Sequence, residues 1–166
     1  MRAITMFLMA AILAATAFAA PQAPQSSDEA VKTFASSADV KALIAKAKSE
    51  RKADQPLLAQ HILQLAPYNV NLEYRTGVGP AAVHEHEAEL FYVIDGSGTM
   101  VTGGKLVNEK RANAENLNGT GVEGGMSRAI AKGDFIIVPE NTPHWFSKIN
   151  GTLILMSVHV PRTGAH

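Results

Sequence analysis

The spacing of apolar residues changes from a helical to a strand-like period near Pro56. Between residues 28 and 50, apolar residues recur three or four positions apart, which is typical of amphipathic helices. These residues are Val31 and Phe34, followed by Val40, Leu43, Ile44 and Ala47. Two consecutive helices are expected, and Ser36 or Ser37 would cap the second, because a serine side chain can accept a hydrogen bond from the first turn. We therefore predict a helical arm that packs on the main domain.

After Pro56 polar and apolar residues alternate, and the segment Asn69–Arg75 does so without a fault. Because alternation places side chains on opposite faces of a strand, this segment is predicted to form a half-buried strand with Glu73 and Arg75 on its solvent face. Further strand candidates are Leu57–Leu65, Leu90–Ile94, Thr99–Thr102, Ser127–Ile130, Phe135–Val138, Trp145–Ile149 and Leu153–Val160. Many short strands predict an all-β antiparallel sandwich or barrel.

Glycine and asparagine suggest where the chain turns. Gly96-Ser97-Gly98, Gly103-Gly104 and Asn150-Gly151 are expected to form hairpin turns, since these residues accept a positive φ. The segment Asn108–Gly125 holds four asparagines and four glycines. We expect it to form a long loop between the two halves of the barrel.

The N-terminus resembles a secretory signal peptide. Arg2 precedes an uncharged run, Ala3–Ala20, and Ala17-Phe18-Ala19 has the small-x-small pattern of a cleavage site. A transmembrane anchor is the alternative, but much of the run is alanine and no basic cluster follows it. We expect cleavage after Ala19, a secreted or periplasmic location and no membrane association afterwards. The predicted organisation is residues 1–19 signal peptide, 20–55 linker and helical arm, and 56–163 β-barrel domain.

Composition limits the chemistry. Fifteen Lys and Arg balance fifteen Asp and Glu, so no basic surface for nucleic acid is expected. The absence of cysteine excludes thiolate metal sites, iron–sulfur clusters and a cysteine nucleophile. Any metal must therefore be held by Asp, Glu or one of the six histidines.

Two short stretches concentrate candidate metal ligands. In the first, His84 and His86 would point to the same face of a strand, and Glu89 begins the next strand. Two imidazoles on one face suit a single metal ion. In the second, a buried strand runs from Gly133 to a proline-bounded turn that ends at His144.

Both stretches resemble the two motifs of the cupin superfamily. Glu89, six residues and then Gly96 match the end of the first motif, while Gly133, Pro139 and His144 match the second. The upstream part departs from the pattern, since the pair His84 and His86 leaves only two residues before Glu89. A four-residue gap instead makes His84 the second histidine of the motif and places Ala82 at the first. In the second motif, Asn141 replaces the turn glycine and Lys148 stands where asparagine is usual.

The resemblance implies a cupin-type antiparallel double-stranded β-barrel, or jelly roll, with a divalent metal inside it. Its implied ligands are His84, His86, Glu89 and His144, and whether His84, His86 or both bind stays open. The family commonly uses Fe, Mn, Zn or Ni, and export adds Cu, which competes well for nitrogen and oxygen donors. The resemblance also implies a homodimer. His61 and His159 are expected to be core or surface histidines, so His144→Ala should abolish tight metal binding and His159→Ala should not.

Three functions remain open at this point. The first is a metal-dependent enzyme of oxygenase, decarboxylase or isomerase type that acts on a small organic substrate. The second is a non-catalytic module that binds a small ligand or a metal, and the third is a structural barrel. No further motif identifies a catalytic residue, so the sequence does not decide between an enzyme and a binding module.

Overall fold

The computed structural model describes residues 31–162, which form one helix and eleven strands. The predicted signal peptide and the start of the linker lie outside these residues. The elements are α1 Ser37–Glu50, β1 Leu57–Leu65, β2 Tyr68–Arg75, β3 Ala81–His84, β4 Glu87–Thr102, β5 Lys105–Val107, β6 Lys110–Arg111, β7 Asn116–Gly119, β8 Gly121–Glu123, β9 Met126–Ala131, β10 Phe135–Val138 and β11 His144–Pro161.

Helix α1 begins after Ser36, whose side chain accepts a hydrogen bond from the backbone N–H of Asp39. The Asp39 carboxylate accepts one from the Ser36 backbone in return, which completes a capping box. The predicted helix over Val31 and Phe34 is wrong. This segment is extended, because the backbone of Lys32 exchanges two 2.8 Å hydrogen bonds with Gln64 of β1. Among the described residues, no helix is long and apolar enough to span a membrane.

Nine strands form one antiparallel sheet that is organised around β4 and β11. These two long strands pair along most of their length, while β9 and β10 occupy the other edge of β4. Strand β2 continues the sheet from β11 to β1, and β3 continues it to β7 and β6. This arrangement confirms the predicted all-β antiparallel architecture.

The sheet has an apolar cluster on each side. Strand alternation sends Leu72 and Tyr74 of β2 toward α1, where they pack with Ala47 and Ile62. The interior cluster lies between strands of the barrel and consists of Phe91, Val93, Met100, Ile130, Val138, Phe146, Leu153 and Leu155. Burial of both clusters supplies the main driving force for folding.

Glu73 and Arg75 lie in the interior, so their predicted place on the solvent face is wrong. Their side chains are only 9% and 11% exposed, and Arg75 Nη2 lies 2.7 Å from Glu73 Oε2. The Arg75 guanidinium also stands 4.3 Å from the centroid of the Phe146 ring. The reason is that α1 covers the opposite face of β2, which leaves Glu73 and Arg75 directed into the barrel.

None of the three predicted hairpin turns joins two paired strands. Gly96-Ser97-Gly98 lies inside β4 and Asn150-Gly151 inside β11, at a point where the pairing of these strands shifts register. Gly96 has φ +85°, and a Cβ at this position would overlap the carbonyl oxygen of Thr152. Gly103-Gly104 connects β4 to β5, which pairs with β8 instead. The small residues therefore permit bulges and bends in long strands.

The predicted loop over Asn108–Gly125 is also wrong, because it contains β6, β7 and β8. Strand β7 pairs with β3 from Ala81 opposite Gly119 to His84 opposite Asn116. These strands carry few apolar side chains, so backbone hydrogen bonds hold them and the polar sequence hides them.

Candidate metal centre

Four polar side chains converge where β3 ends and β4 begins. His84 is the last residue of β3, Glu89 is the third of β4, and His144 and His159 lie at opposite ends of β11. The pairing of β4 with β11 sets His159 opposite Glu89. The strands that carry the largest interior cluster therefore also deliver most of this group.

Glu89 is the centre of the group. Its Oε2 atom lies 3.1 Å from Nε2 of both His84 and His144, and its Oε1 atom lies 3.4 Å from Nε2 of His159. The ring centroids of His84 and His144 are 5.2 Å apart, and those of His84 and His159 are 4.6 Å apart. One potential ligand atom from each of His84, Glu89 and His159 lies within 4.8 Å of the other two.

The protonation equilibria reflect this crowding. Burial of Glu89, which is 4% exposed, favours the neutral acid, but hydrogen bonds from His144 and His84 and positive charge on His144 and His159 outweigh burial and hold its pKa well below the usual range. Burial likewise disfavours charged His84. Hydrogen bonds to Glu89 and Asn116 outweigh that effect and raise the pKa of His84. The site therefore keeps an anionic carboxylate beside a histidine that readily takes up a positive charge.

The other ring nitrogen of each histidine is held by an oxygen acceptor. Nδ1 of His84 lies 2.6 Å from Asn116 Oδ1, and Nδ1 of His159 lies 3.0 Å from Glu87 Oε2. Nδ1 of His144 lies 3.3 Å from the carbonyl oxygen of Thr142. Acceptors of this kind fix the ring orientation and direct the remaining nitrogen of a ligating histidine toward a metal.

The tautomer of His84 follows from a chain of hydrogen bonds. The backbone N–H of Glu115 donates to Asn113 Oδ1 at 2.9 Å, which fixes that side-chain atom as an oxygen. The same oxygen accepts from Asn116 Nδ2 at 3.0 Å, so Asn116 presents its oxygen to His84. Nδ1 of His84 must then carry the proton, and the lone pair of neutral His84 lies on Nε2.

This arrangement fits a divalent metal ion. In the neutral form, His84, His144 and His159 would each direct the Nε2 lone pair at an anionic carboxylate. A cation bound among them, or a proton on the nitrogen, removes this repulsion. Three imidazole nitrogens and one carboxylate suit Zn, Cu, Fe, Mn or Ni, and they exclude a soft thiolate site.

The structure brings together three of the four residues singled out in the sequence, namely His84, Glu89 and His144. His86 is exposed in the bend between β3 and β4 and takes no part in the group. The expectation that His84 and His86 share a strand face is wrong because β3 ends at His84. The backbone of His86 instead accepts a hydrogen bond from the backbone N–H of Arg162 at 3.0 Å.

Two residues of the site, His159 and Asn116, were not predicted from the sequence. His159 was expected to be a core or surface histidine, yet it belongs to the group. Alternation could have found it, because it follows Leu153, Leu155 and Ser157 along the interior face of β11. No sequence pattern indicated that Asn116 orients His84, because the strand that carries Asn116 was not predicted.

Comparison with known families gives the class of this protein. The sequence model of the family described as Cupin matches residues 51–164, which is most of the chain. The protein belongs to the cupin family. With His86 exposed in the bend after β3, the structure agrees with the alignment of the first motif that has a four-residue gap, in which His84 stands at the second histidine and Ala82 at the first. His159 brings a third imidazole to the group from another strand.

Several solved structures are similar to this one at low sequence identity. DMSP lyase DddQ from Ruegeria pomeroyi is 14% identical with a TM-score of 0.52, over 84% of this chain and 71% of the lyase. FeII HppE is 15% identical with a TM-score of 0.50, over 66% of this chain and 53% of HppE. A cupin superfamily protein from Desulfitobacterium hafniense is 11% identical with a TM-score of 0.47, over 68% and 84% of the two chains. No curated protein matches the sequence.

Proposed function

We propose that this protein is an exported cupin that binds a divalent metal on His84, Glu89, His144 and His159 and acts as a metal-dependent enzyme on a small organic substrate. The observation that carries the proposal is the convergence of three oriented imidazoles on one buried carboxylate. The expected reaction is of the oxygenase, decarboxylase or isomerase type. When bound, the metal would supply Lewis acidity or a site for oxygen chemistry.

The residues around the group have distinct tasks in this proposal. Asn116, Glu87 and the Thr142 carbonyl hold the imidazole rings, so little reorganisation is needed when a metal binds. Phe91 packs against His144 with ring centroids 6.0 Å apart and keeps that side of the site apolar. An apolar surrounding strengthens the interaction of the metal with anionic ligands.

A cavity beside the group offers a route for a small molecule. It has a volume of about 430 Å³ and is lined by Pro67, His86, Glu87, Glu115, Pro161 and Arg162. Because Glu87 also holds Nδ1 of His159, the cavity wall is one residue from the metal ligands. This volume is within the usual range of small-molecule sites.

A non-catalytic binding module is the second candidate. One observation favours it: Glu73 and Arg75, the buried ion pair of the barrel interior, are bonded to each other and so do not offer a free acid or base. Such a module would bind the metal or a small ligand without turnover.

The first experiment measures metal binding by the purified protein after chelator treatment. Isothermal titration with zinc should give one tight site per chain for the wild type and a large loss of affinity for His84→Ala. His86→Ala is the matched control, since it removes an exposed histidine two residues away. If the wild type binds no zinc, or if both variants lose affinity equally, the proposed metal site is wrong.

A second experiment separates the enzyme from the binding module. The protein loaded with Fe(II), and separately with Zn(II) and Mn(II), is incubated with small carboxylates and phenols while oxygen uptake and product formation are followed. Turnover that disappears in His144→Ala supports an enzyme. Tight metal binding without turnover across the panel supports the module.

Export is supported by the sequence pattern alone, namely Arg2, the uncharged run Ala3–Ala20 and the small residues before residue 20. N-terminal sequencing of protein recovered from the native host tests it. A mature chain that begins at Ala20 is the expected result, and an intact N-terminus recovered from the cytoplasm would contradict export.

A further inference from the structure

A groove lies between the N-terminal half of α1 and the outer face of the sheet, on the side away from the barrel interior. Its volume of about 380 Å³ is within the usual range of small-molecule sites. It shares no residue with the metal centre or with the cavity beside that centre. One wall is the part of α1 from Ser37 to Ile44, and the floor consists of Ile62 of β1, Tyr92 and Ile94 of β4 and Met156 of β11.

The groove exists because α1 lies mainly over β1 and β2 and packs closely on them only near its C-terminal end. Ala47 is fully buried there, whereas Val40 and Ile44, one to two turns earlier, remain half-buried beside the groove. Beyond the helix the Tyr92 ring contacts the ring of Phe135, with centroids 4.6 Å apart, and Phe135 is 71% exposed. The apolar floor therefore continues past the helix and is open to solvent.

The groove is apolar and has one positive charge at its rim. Its floor and most of its wall are hydrocarbon, so a ligand would gain affinity mainly by burying apolar surface. Ser37 and Lys41 lie one helical turn apart on the wall, and both are exposed. Lys46, further along α1, forms an ion pair at 4.0 Å, whereas Lys41 forms none with any residue in the described range 31–162. Since the carboxylate of Asp39 is bonded to Ser36 in the helix cap, Lys41 is available to an anionic ligand.

We propose that this groove binds a single alkyl chain with an anionic headgroup, namely a fatty acid of medium length. The chain would lie on the apolar floor along α1, and its carboxylate would lie beside Ser37 and Lys41. From Ser37 to Ile44 the helix rises about 10 Å, a length that the extended chain of decanoate can cover. A groove with a helix as its wall and a sheet as its floor accommodates a slim chain, and the charge of Lys41 favours an anion over a neutral amphiphile. The inference does not depend on the metal site, because the groove and that site lie on opposite faces of the sheet.

Isothermal titration with decanoate measures the binding. The wild type should bind one decanoate per chain, about tenfold more tightly than octanoate, because two further methylene groups are buried. Val40→Trp should abolish this binding by filling the groove. Ala45→Trp is the matched control, since Ala45 is exposed on the same helix and does not line the groove, and it should bind decanoate like the wild type. Thermal unfolding of both variants verifies that they are folded.

Lys41→Ala tests the charge at the rim without adding bulk. It should weaken decanoate binding about threefold and leave the binding of decanol, which has the same chain and no charge, unchanged. Lys46→Ala is the control, because it removes a lysine of α1 that lies outside the groove. The zinc affinity should be the same in all four variants, so a failure of the metal site would leave this test intact.

Three results would overturn the inference. The first is no decanoate binding by the wild type, and the second is equal binding by folded Val40→Trp. The third is a loss in Lys41→Ala that is the same for decanoate and decanol. If light scattering finds a dimer that dissociates in Val40→Trp, and the wild type binds no decanoate, the groove is covered by a second copy of the chain instead.

Discussion

Replacement of His159 by alanine tests the most unexpected feature of the site, which is that a histidine from the far end of β11 completes it. The substitution removes one of four proposed ligands and leaves Glu87 without the ring nitrogen that it contacts at 3.0 Å. If His159 binds the metal, the affinity should fall although His84, Glu89 and His144 remain in place.

The expected magnitude follows from the geometry. Zinc sites with four protein ligands have binding free energies of roughly 10–16 kcal/mol, so one ligand accounts for about 3 kcal/mol, or about 100-fold in affinity. His159 is at the lower end of this range, because its side chain is 26% exposed and its distance to Glu89 is the longest of the three. His144, whose side chain is 6% exposed, should cost about 1000-fold when replaced.

The assay is competition for zinc against a chromophoric chelator at fixed pH, with His86→Ala as the control. Ala82→His in the His159→Ala background provides a second check. Ala82 pairs with His144 and lies two residues before His84 on β3, so a histidine there should restore part of the affinity. A zinc affinity of His159→Ala equal to that of the wild type would show that His159 is not a metal ligand.

Four further results are expected. In the metal-free protein the raised pKa of His84 stabilises the fold below the unfolded value of about 6.5, and this stabilisation is lost at higher pH, whereas the lowered pKa of Glu89 stabilises the fold above about pH 4.3 and that stabilisation is lost in acid. The thermal midpoint should therefore fall from pH 6 to pH 8 without metal and rise over the same range with zinc bound. A rise in both forms would contradict this expectation. Glu73→Gln should lower the free energy of unfolding in urea by about 3 kcal/mol because it leaves a buried arginine unpaired, with no change in zinc affinity, and a cost under about 1 kcal/mol would count against the ion pair. Gly96→Ala should lower the free energy of unfolding by more than about 2 kcal/mol, whereas Gly133→Ala, at φ +95° in open space, should lower it only by the backbone strain of roughly 1–2 kcal/mol. Equal losses would show that the predicted overlap with Thr152 is absent. Elemental analysis of protein from its native compartment should find zinc or copper at least in part, and manganese or iron alone would argue against loading outside the cytoplasm.

Features of the fold that depend on one side-chain pattern could be predicted from the sequence. The unbroken alternation of Asn69–Arg75 predicted strand β2, and the spacing of Glu89, Gly96, Gly133 and His144 predicted the fold. Which face of β2 is buried was misread, because α1 covers the outer face and the barrel encloses the inner one. Burial on both faces cannot be deduced from alternation within one strand.

The ligand set was harder to predict because it depends on where strands end and how they pair. The bend after His84 removes His86 from the group, and the pairing of His159 with Glu89 brings in a residue 70 positions further along the chain than its partner. Asn116 reaches His84 only through strand β7, which backbone hydrogen bonds hold together. Such contacts become visible only when the register of the sheet is known.

Because of the register shift between Phe146 and Lys148, β11 cannot lose one residue at this point without changing the direction of the side chains beyond it. His144 and His159 are 15 positions apart, which is an odd number, so a regular strand would direct one of them into the barrel and the other out of it. The extra residue at Ser147 reverses the alternation once, which lets both side chains face inward. Deletion of this single residue would leave every strand of the sheet able to pair and yet turn one of the two histidines away. In this protein the parity of a strand, as much as the identity of its residues, decides whether a four-residue site can exist.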